Sequence, residues 1–223
     1  MKIECAKCGI KNKICSSPEG QGPTYCPTLH RKEIIAKANG EYTKPDILKF
    51  AREASIQEGE CYTNKGVKPY VLHPTKPRVQ EICEFAQKMG YKKLGIAFCS
   101  GLYGEALSLT KILEAQGFEV ISVVCKAGGI PKEQIGIKEE EKIRIGEFES
   151  MCSPIAQAMI LNEEKTDFNI LVGLCVGHDS LFLKYSEAYC TVLVAKDRVL
   201  AHNPCAALYA TGTYYARMLK KGF

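Results

Sequence analysis

The sequence predicts an α/β protein: a parallel-sheet sandwich of Rossmann-like βαβ units, preceded by helices and opened by a cysteine-rich metal knuckle. Three observations predict it. From Lys92 onward, apolar runs at about residues 93–99, 119–125, 168–175 and 191–196 alternate with helical patterns at about 103–116, 154–165, 180–187 and 204–220. Those runs are continuously apolar, as suits strands covered on both faces. The first 28 residues, by contrast, are rich in Cys, Lys, Gly and Pro and carry no hydrophobic period.

The elements divide the chain into residues 1–28, a cysteine-rich metal-binding segment; 29–90, a helical linker region; and 91–223, an α/β domain with cysteines at its carboxyl sheet edge. Helical patterns are expected at about Leu29–Ala38, Pro45–Glu58 and Lys76–Met89, the last stopped by Gly90. Residues 59–75 hold Gly59, Gly66, Pro69 and Pro74 and read as a loop. The stretch Lys126–Ser150 is long for a connection, and its run Lys138-Glu139-Glu140-Glu141-Lys142 reads as a solvated face.

At 223 residues and 46% hydrophobic, the chain can bury a core of ordinary size. No apolar run approaches a membrane span, and the N-terminus lacks an apolar signal core, so a cytoplasmic protein is expected. There twelve cysteines read as metal ligands, reactive thiols and core residues before disulfides. The net charge of +5 sits mostly in residues 1–50; the body is nearly neutral, which argues against a nucleic-acid surface.

Four thiols lie within 22 residues in Cys5-x2-Cys8-x6-Cys15-x10-Cys26-Pro27. This is the ligand count of a four-cysteine zinc site or a four-iron cluster, and the spacing leaves the choice open. Residues 1–28 cannot bury enough apolar surface to fold unaided, so a shared metal centre is expected to order them.

The second set follows from the strand assignment. Cys99, Cys125 and Cys175 fall where three strands end, and Cys152 precedes Ser153-Pro154, which reads as an N-cap with proline at the first helical position. Ligands of open parallel sheets bind outside the carboxyl ends of the strands. The four cysteines are therefore expected to converge on one metal or iron–sulfur site, with Cys99 either the fourth ligand or a packing residue that leaves an iron open. His178 lies on the same edge, where it would act as a proton donor to a bound substrate, hydrogen-bond a cluster sulfur, or serve as a structural histidine. Asp179 or Ser180 reads as a helix cap, Asn203-Pro204 as another, Cys83 and Cys190 as structural, and Cys205 as a packing residue. Ser100-Gly101-Leu102-Tyr103-Gly104 lacks phosphate-loop spacing, so no nucleotide is expected.

Several stretches also resemble a known family: Cys125-Lys126-x-Gly128, Cys152-x-Pro154-Ile155-x-Gln157-Ala158, Leu161-Asn162 with Thr166-Asp167-x-Asn169, Gly173-Leu174-Cys175-Val176-Gly177-His178-Asp179-Ser180-Leu181-Phe182 and Lys196-Asp197-Arg198. The chain resembles uncharacterised, predicted metal-binding proteins of archaea and anaerobic bacteria that contain a domain of unknown function. The resemblance implies metal binding at Cys125, Cys152 and Cys175 and no particular reaction.

Together these readings suggest an iron–sulfur protein of anaerobic metabolism with one or two 4Fe–4S clusters, zinc being the other occupant of the N-terminal site. With three ligands at the sheet edge, an open iron would bind or activate a small, sulfur-containing molecule. With four, the protein would be an electron carrier serving a redox partner. A zinc-ribbon protein that senses metal or redox state is the alternative.

Overall fold

The computed structural model describes residues 2–222, in two compact units that divide between Glu60 and Cys61. In the first unit, Gln21 N–H to Asn12 O and Ile14 N–H to Gln21 O, both 2.9 Å, close a loop over residues 12–21. Helices α1 (Pro27–His30), α2 (Lys32–Glu41) and α3 (Pro45–Glu60) follow. The single pattern expected over 29–38 is thus two helices, broken at Arg31, whose backbone leaves the helical region (φ −128°, ψ 36°).

In the second unit, residues 61–75 are not wholly loop, because β1 (Tyr62–Thr63) and β2 (His73–Pro74) pair antiparallel. Then come α4 (Arg78–Met89), β3 (Lys93–Phe98), α5 (Tyr103–Ala115), β4 (Glu119–Val124), α6 (Pro154–Glu163), β5 (Phe168–Val172), α7 (His178–Tyr185), β6 (Tyr189–Val194) and α8 (Cys205–Tyr209). The main sheet is four-stranded and wholly parallel, in the order β4-β3-β5-β6. Among the described residues no helix is long and apolar enough to cross a membrane.

The central pair explains the apolar runs. Leu94–Phe98 and all of β5 are buried and run in register, Leu94 opposite Phe168 and Phe98 opposite Val172. The edge strands β4 and β6 are only partly covered. Helix α4 adds Phe85, whose ring meets Phe168 edge-on at 5.7 Å, while Tyr91 stacks on Phe168 at 5.8 Å.

Polar side chains lock the amino edge of the sheet. Asp167 Oδ2 accepts the amides of Lys92 (2.7 Å) and Lys93 (2.9 Å), binding the starts of β3 and β5 together. The fully buried Asn169 takes the Thr166 hydroxyl at 2.8 Å on Oδ1 and donates to Ser186 Oγ at 2.9 Å. A partner on each side is what makes a buried amide tolerable. Asn162 joins α6 to the end of α7, donating to Tyr185 O (2.9 Å) and accepting from Glu187 N–H (3.0 Å).

Two sequence expectations fail near the C-terminus. The helix expected over 204–220 is the five-residue α8, followed by turns and a short 3-10 turn at Ala216–Leu219. Thr211-Gly212-Thr213 accounts for this: both hydroxyls bond back to nearby carbonyls, Leu208 O at 3.0 Å and Ala210 O at 3.3 Å, in competition with the helix ladder. The cap of α8 is Pro204 and not Asn203, which offers only its carbonyl, to Ala206 N–H at 3.1 Å.

Candidate functional site

The carboxyl edge of the sheet is built from strand ends. Cys99 extends β3 by one rung, its amide donating to Val172 O at 3.0 Å, and Cys125 does the same for β4, donating to Phe98 O at 2.8 Å. Both residues are buried. Gln157, fully buried on α6, donates to Phe98 O (3.2 Å) and Val123 O (2.7 Å), fixing the ends of β3 and β4 just before these two cysteines.

Cys152 returns to this edge through the long 126–151 excursion, which is tightly tied. Pro131 and Ser150 form an antiparallel bridge, Met151 N–H reaches Ile130 O at 2.7 Å, and Lys126 Nζ donates to Ser150 O at 2.5 Å. Lys132 pairs with Glu149 at 2.6 Å, and this ammonium together with the amides of Arg144 and Ile143 holds the Glu149 carboxyl down at about 2 against some burial. The charged run is not simply a solvated face: Lys142 is buried and bonds to Glu133 and Glu139 while the three glutamates stay exposed. Ser153 N–H then donates to Cys125 O at 2.7 Å, seating the start of α6 against the end of β4. The expected N-cap position of Ser153 and first-turn position of Pro154 hold, although the serine side chain makes no cap bond.

This seating brings Cys125 Sγ and Cys152 Sγ to 3.7 Å. The Cys152 thiol is lowered to about 6, first by its hydrogen bond with Cys125 and then by the Lys126 charge, against burial and the repulsion of Cys175. Cys99 moves the other way: its bond with Cys125 and then burial push it up to about 12, although Gly101 N–H and Lys196 oppose them. Its Sγ accepts from Gly101 N–H at 3.5 Å and Lys196 Nζ at 3.4 Å, while Cys125 Sγ accepts from Ser100 N–H at 3.3 Å.

Cys175 lies in the turn between β5 and α7, and His178 is the first residue of α7. Gly177 (φ 83°) takes the left-handed conformation this turn needs and is the residue that caps α7. The expected cap at Asp179 or Ser180 is therefore displaced: Asp179 lies inside the first turn, with Oδ1 accepting from Ser180 N–H at 2.7 Å. Cys175, half-buried, accepts from Arg198 Nη2 at 3.0 Å. His178 is half-buried, its Nδ1 enclosed without a hydrogen-bond partner. Burial first, then the charges of Lys126 and Arg198, lower its pKa against the pull of Asp179 and Cys99, so the imidazole is neutral at pH 7.

The sheet-edge residues thus stand together, and three cations stand with them. Lys126, Lys196 and Arg198 have no role in the sequence reading, although each lies in a stretch that carries the family resemblance. Their pairing with sulfurs as many as 97 residues away leaves no local signal. Cys205 lies exposed and packs in no core, contrary to expectation, whereas Cys83 is buried and Cys190 half-buried.

In the N-terminal unit, Cys5 opens a 3-10 turn closed by Cys8 N–H to Cys5 O at 3.1 Å, and Cys26 caps α1. Cys26 is buried, Cys8 half-buried, and Cys5 and Cys15 are exposed. Burial raises the Cys26 thiol, but the amides of Leu29 and Thr28 and the Thr28 hydroxyl outweigh it and set the thiol below its usual range. Among the described residues no three or more His, Cys, Asp or Glu side chains form a ready metal shell, in either unit.

An uncharacterized protein of Methanocaldococcus jannaschii is 44% identical over 220 residues, covering 99% of this chain and 100% of the relative. No solved structure matches the chain. A family model described as a protein of unknown function, DUF1847, matches residues 26–193, which include all four sheet-edge cysteines and His178, and the chain belongs to that family.

Proposed function

We propose that the carboxyl sheet edge is a thiolate metal site in which Cys125, Cys152 and Cys175, with Cys99 as a fourth sulfur, bind a thiophilic ion or an iron–sulfur cluster. The observation that carries this reading is the 3.7 Å between Cys125 Sγ and Cys152 Sγ. Two thiolates bound at about 2.3 Å to one tetrahedral ion stand about 3.8 Å apart. That spacing favours two sulfurs on the same ion, as in a mononuclear site or one iron of a two-iron cluster; in a four-iron cluster each iron takes a single thiolate. When bound, the ion supplies Lewis acidity or a redox centre. The chain itself supplies charge compensation from Lys126, Lys196 and Arg198, and a neutral His178 able to take or give a proton.

The topology supports the same location. Right-handed crossovers would put α5 on one face of the sheet and α6 and α7, which pack on each other, on the opposite face. In that Rossmann-like sandwich the crevice opens between β3 and β5, with Cys99 and Cys175 on its two lips.

Protein purified without oxygen should carry stoichiometric metal, lost in Cys125→Ser and Cys152→Ser. Visible absorption and acid-labile sulfide separate the occupants: a brown protein with sulfide has a cluster, two irons or four by sulfide count, and a colourless one holds zinc. A second reading, a redox dithiol, rests on the lowered Cys152 thiol beside Cys125. Metal-free protein that forms a Cys125–Cys152 disulfide with mild oxidant, releasing two electrons and two protons, would displace the metal reading.

For the N-terminal unit we propose a separate metal knuckle at Cys5, Cys8, Cys15 and Cys26, supported by four thiols on a loop with little core. Cys8→Ser and Cys26→Ser should each lose one metal equivalent and become protease-sensitive before residue 30, leaving the sheet-edge metal in place. Full metal content and unchanged protease resistance would refute the knuckle.

A further inference from the structure

The unit from residue 61 onward is nearly neutral in total but unevenly charged along the chain. It holds 20 Lys/Arg and 17 Asp/Glu. Residues 61–80 and 198–223 carry eight of those cations and no acid, which leaves 12 cations against 17 acids in the rest. Both stretches leave from the carboxyl side of the sheet. The second follows β6. The first leads into α4, whose first residue, Arg78, donates to Val192 O (2.9 Å) and Thr191 Oγ1 (2.8 Å) in β6. Val79 shares a shallow groove with Leu193, near the end of β6, and Gly104, just past the end of β3. Helix α4 then runs back to the amino end of β3.

The first stretch is pinned at its base, where β1 pairs with β2 and Thr75 N–H donates to Cys61 O at 2.9 Å. Residues 64–72 beyond it are all exposed, among them Val67, Tyr70, Val71 and Leu72 at 61–76%. Scattered apolar residues are ordinary on a surface, but a contiguous set marks a binding site. Lys76 pairs with Glu84 at 2.6 Å and Arg78 is held by β6, whereas Lys65 and Lys68 are exposed and, among the described residues, pair with no carboxylate. Lys68 lies over the Tyr70 ring at 5.7 Å. The C-terminal stretch repeats this composition, with Leu208, Tyr209, Tyr214 and Leu219 exposed among Arg217, Lys220 and Lys221.

We propose that this side of the sheet docks on an anionic lipid surface, with the 64–72 hairpin tip as its anchor. Lysines without acids suit anionic headgroups, and the aliphatic side chains suit the boundary with the acyl chains. Tyr70, with an apolar ring and a polar tip, fits the level between them. A protein partner would cover one side of the tip. Tyr70, Val71 and Leu72 are consecutive and all exposed, so their apolar surface faces more than one way, as immersion requires. The unpaired backbone of the tip holds it at headgroup depth, because the hydrocarbon core admits no unsatisfied amides. None of this depends on what the thiols bind.

The test sediments full-length protein with vesicles of phosphatidylcholine, plain or with about a third phosphatidylglycerol. At low salt, binding to the anionic vesicles should exceed binding to the plain ones by about 10-fold or more, and should weaken as salt is added. Lys65→Gln with Lys68→Gln should cost about 5-fold per lysine, and Val71→Ser with Leu72→Ser about 10-fold or more. The control is Lys92→Gln with Lys165→Gln, the same charge change on two exposed lysines at the amino edge. It should leave binding within about 2-fold of wild type. Circular dichroism checks that each variant is folded. No preference for anionic vesicles, or hairpin variants that bind no worse than the amino-edge control, overturns the proposal. Retention on polyglutamate without vesicle binding, lost with the same hairpin substitutions, overturns it in favour of an acidic protein partner.

Discussion

Iodoacetamide should label Cys152 ahead of the other sheet-edge cysteines at pH 7 in the reduced, metal-free protein. A thiol lowered to about 6 is roughly nine-tenths thiolate there, whereas an ordinary thiol near 8.5 is ionised to only a few per cent. The labelling rate should reach half its maximum near pH 6, and Cys99, pushed up to about 12, should stay unlabelled across the range. Cys125→Ala removes the largest cause of the depression and should move the Cys152 inflection upward. Because the folded pKa is the lower one, the thiolate stabilises the fold fully above the ordinary thiol range. That contribution fades as pH falls through about 6. A wild-type inflection near pH 8.5 would contradict the arrangement.

Gly95→Ala should destabilise the protein by about 3–5 kcal/mol, combining overpacking with disruption of a buried amide's bonds. A Cβ on Gly95 would stand 2.0 Å from Asn169 Oδ1 and 3.0 Å from a Leu161 methyl, in the fully buried contact between β3 and β5. Asn169 cannot retreat without releasing Thr166 and Ser186. Gly104→Ala, where an added Cβ meets nothing within 4 Å in the first turn of α5, should be neutral or stabilise by up to about 1 kcal/mol. Denaturant titration of the two variants checks both; Gly95→Ala within 1 kcal/mol of wild type would show that the sheet yields at this point.

The parallel sheet was legible because its two central strands are buried on both faces and so read as unbroken apolar runs. Strand ends could be placed within a few residues, which sufficed to bring Cys99, Cys125, Cys152 and Cys175 to one edge. Periodicity failed where local hydrogen bonding decides the backbone, as at Thr211 and Thr213, where an apparent helix of 17 residues is one of five. It also failed to separate roles within the family-like stretches. Asn162, Thr166, Asp167 and Asn169 are clamps at the amino edge and Gln157 is a strand-end clamp, whereas Lys126, Lys196 and Arg198 serve the thiols. Residue type alone cannot make that division, since a buried amide and a site amide look alike until their partners are known.

The strand order β4-β3-β5-β6 also bears on synthesis. β3 and β4 leave the ribosome in succession and can pair at once, leaving the other side of β3 bare until β5 begins, about 44 residues after β4 ends. Cys99 and Cys125 are therefore neighbours early, while Cys175 joins them only when β5 fills the central slot. A nascent chain that has not yet reached β5 presents a partial set of sulfurs, and all four stand together once β5 is in place. Assembly of the four-sulfur edge is thereby tied to the docking of β5, while the sheet itself is completed by β6.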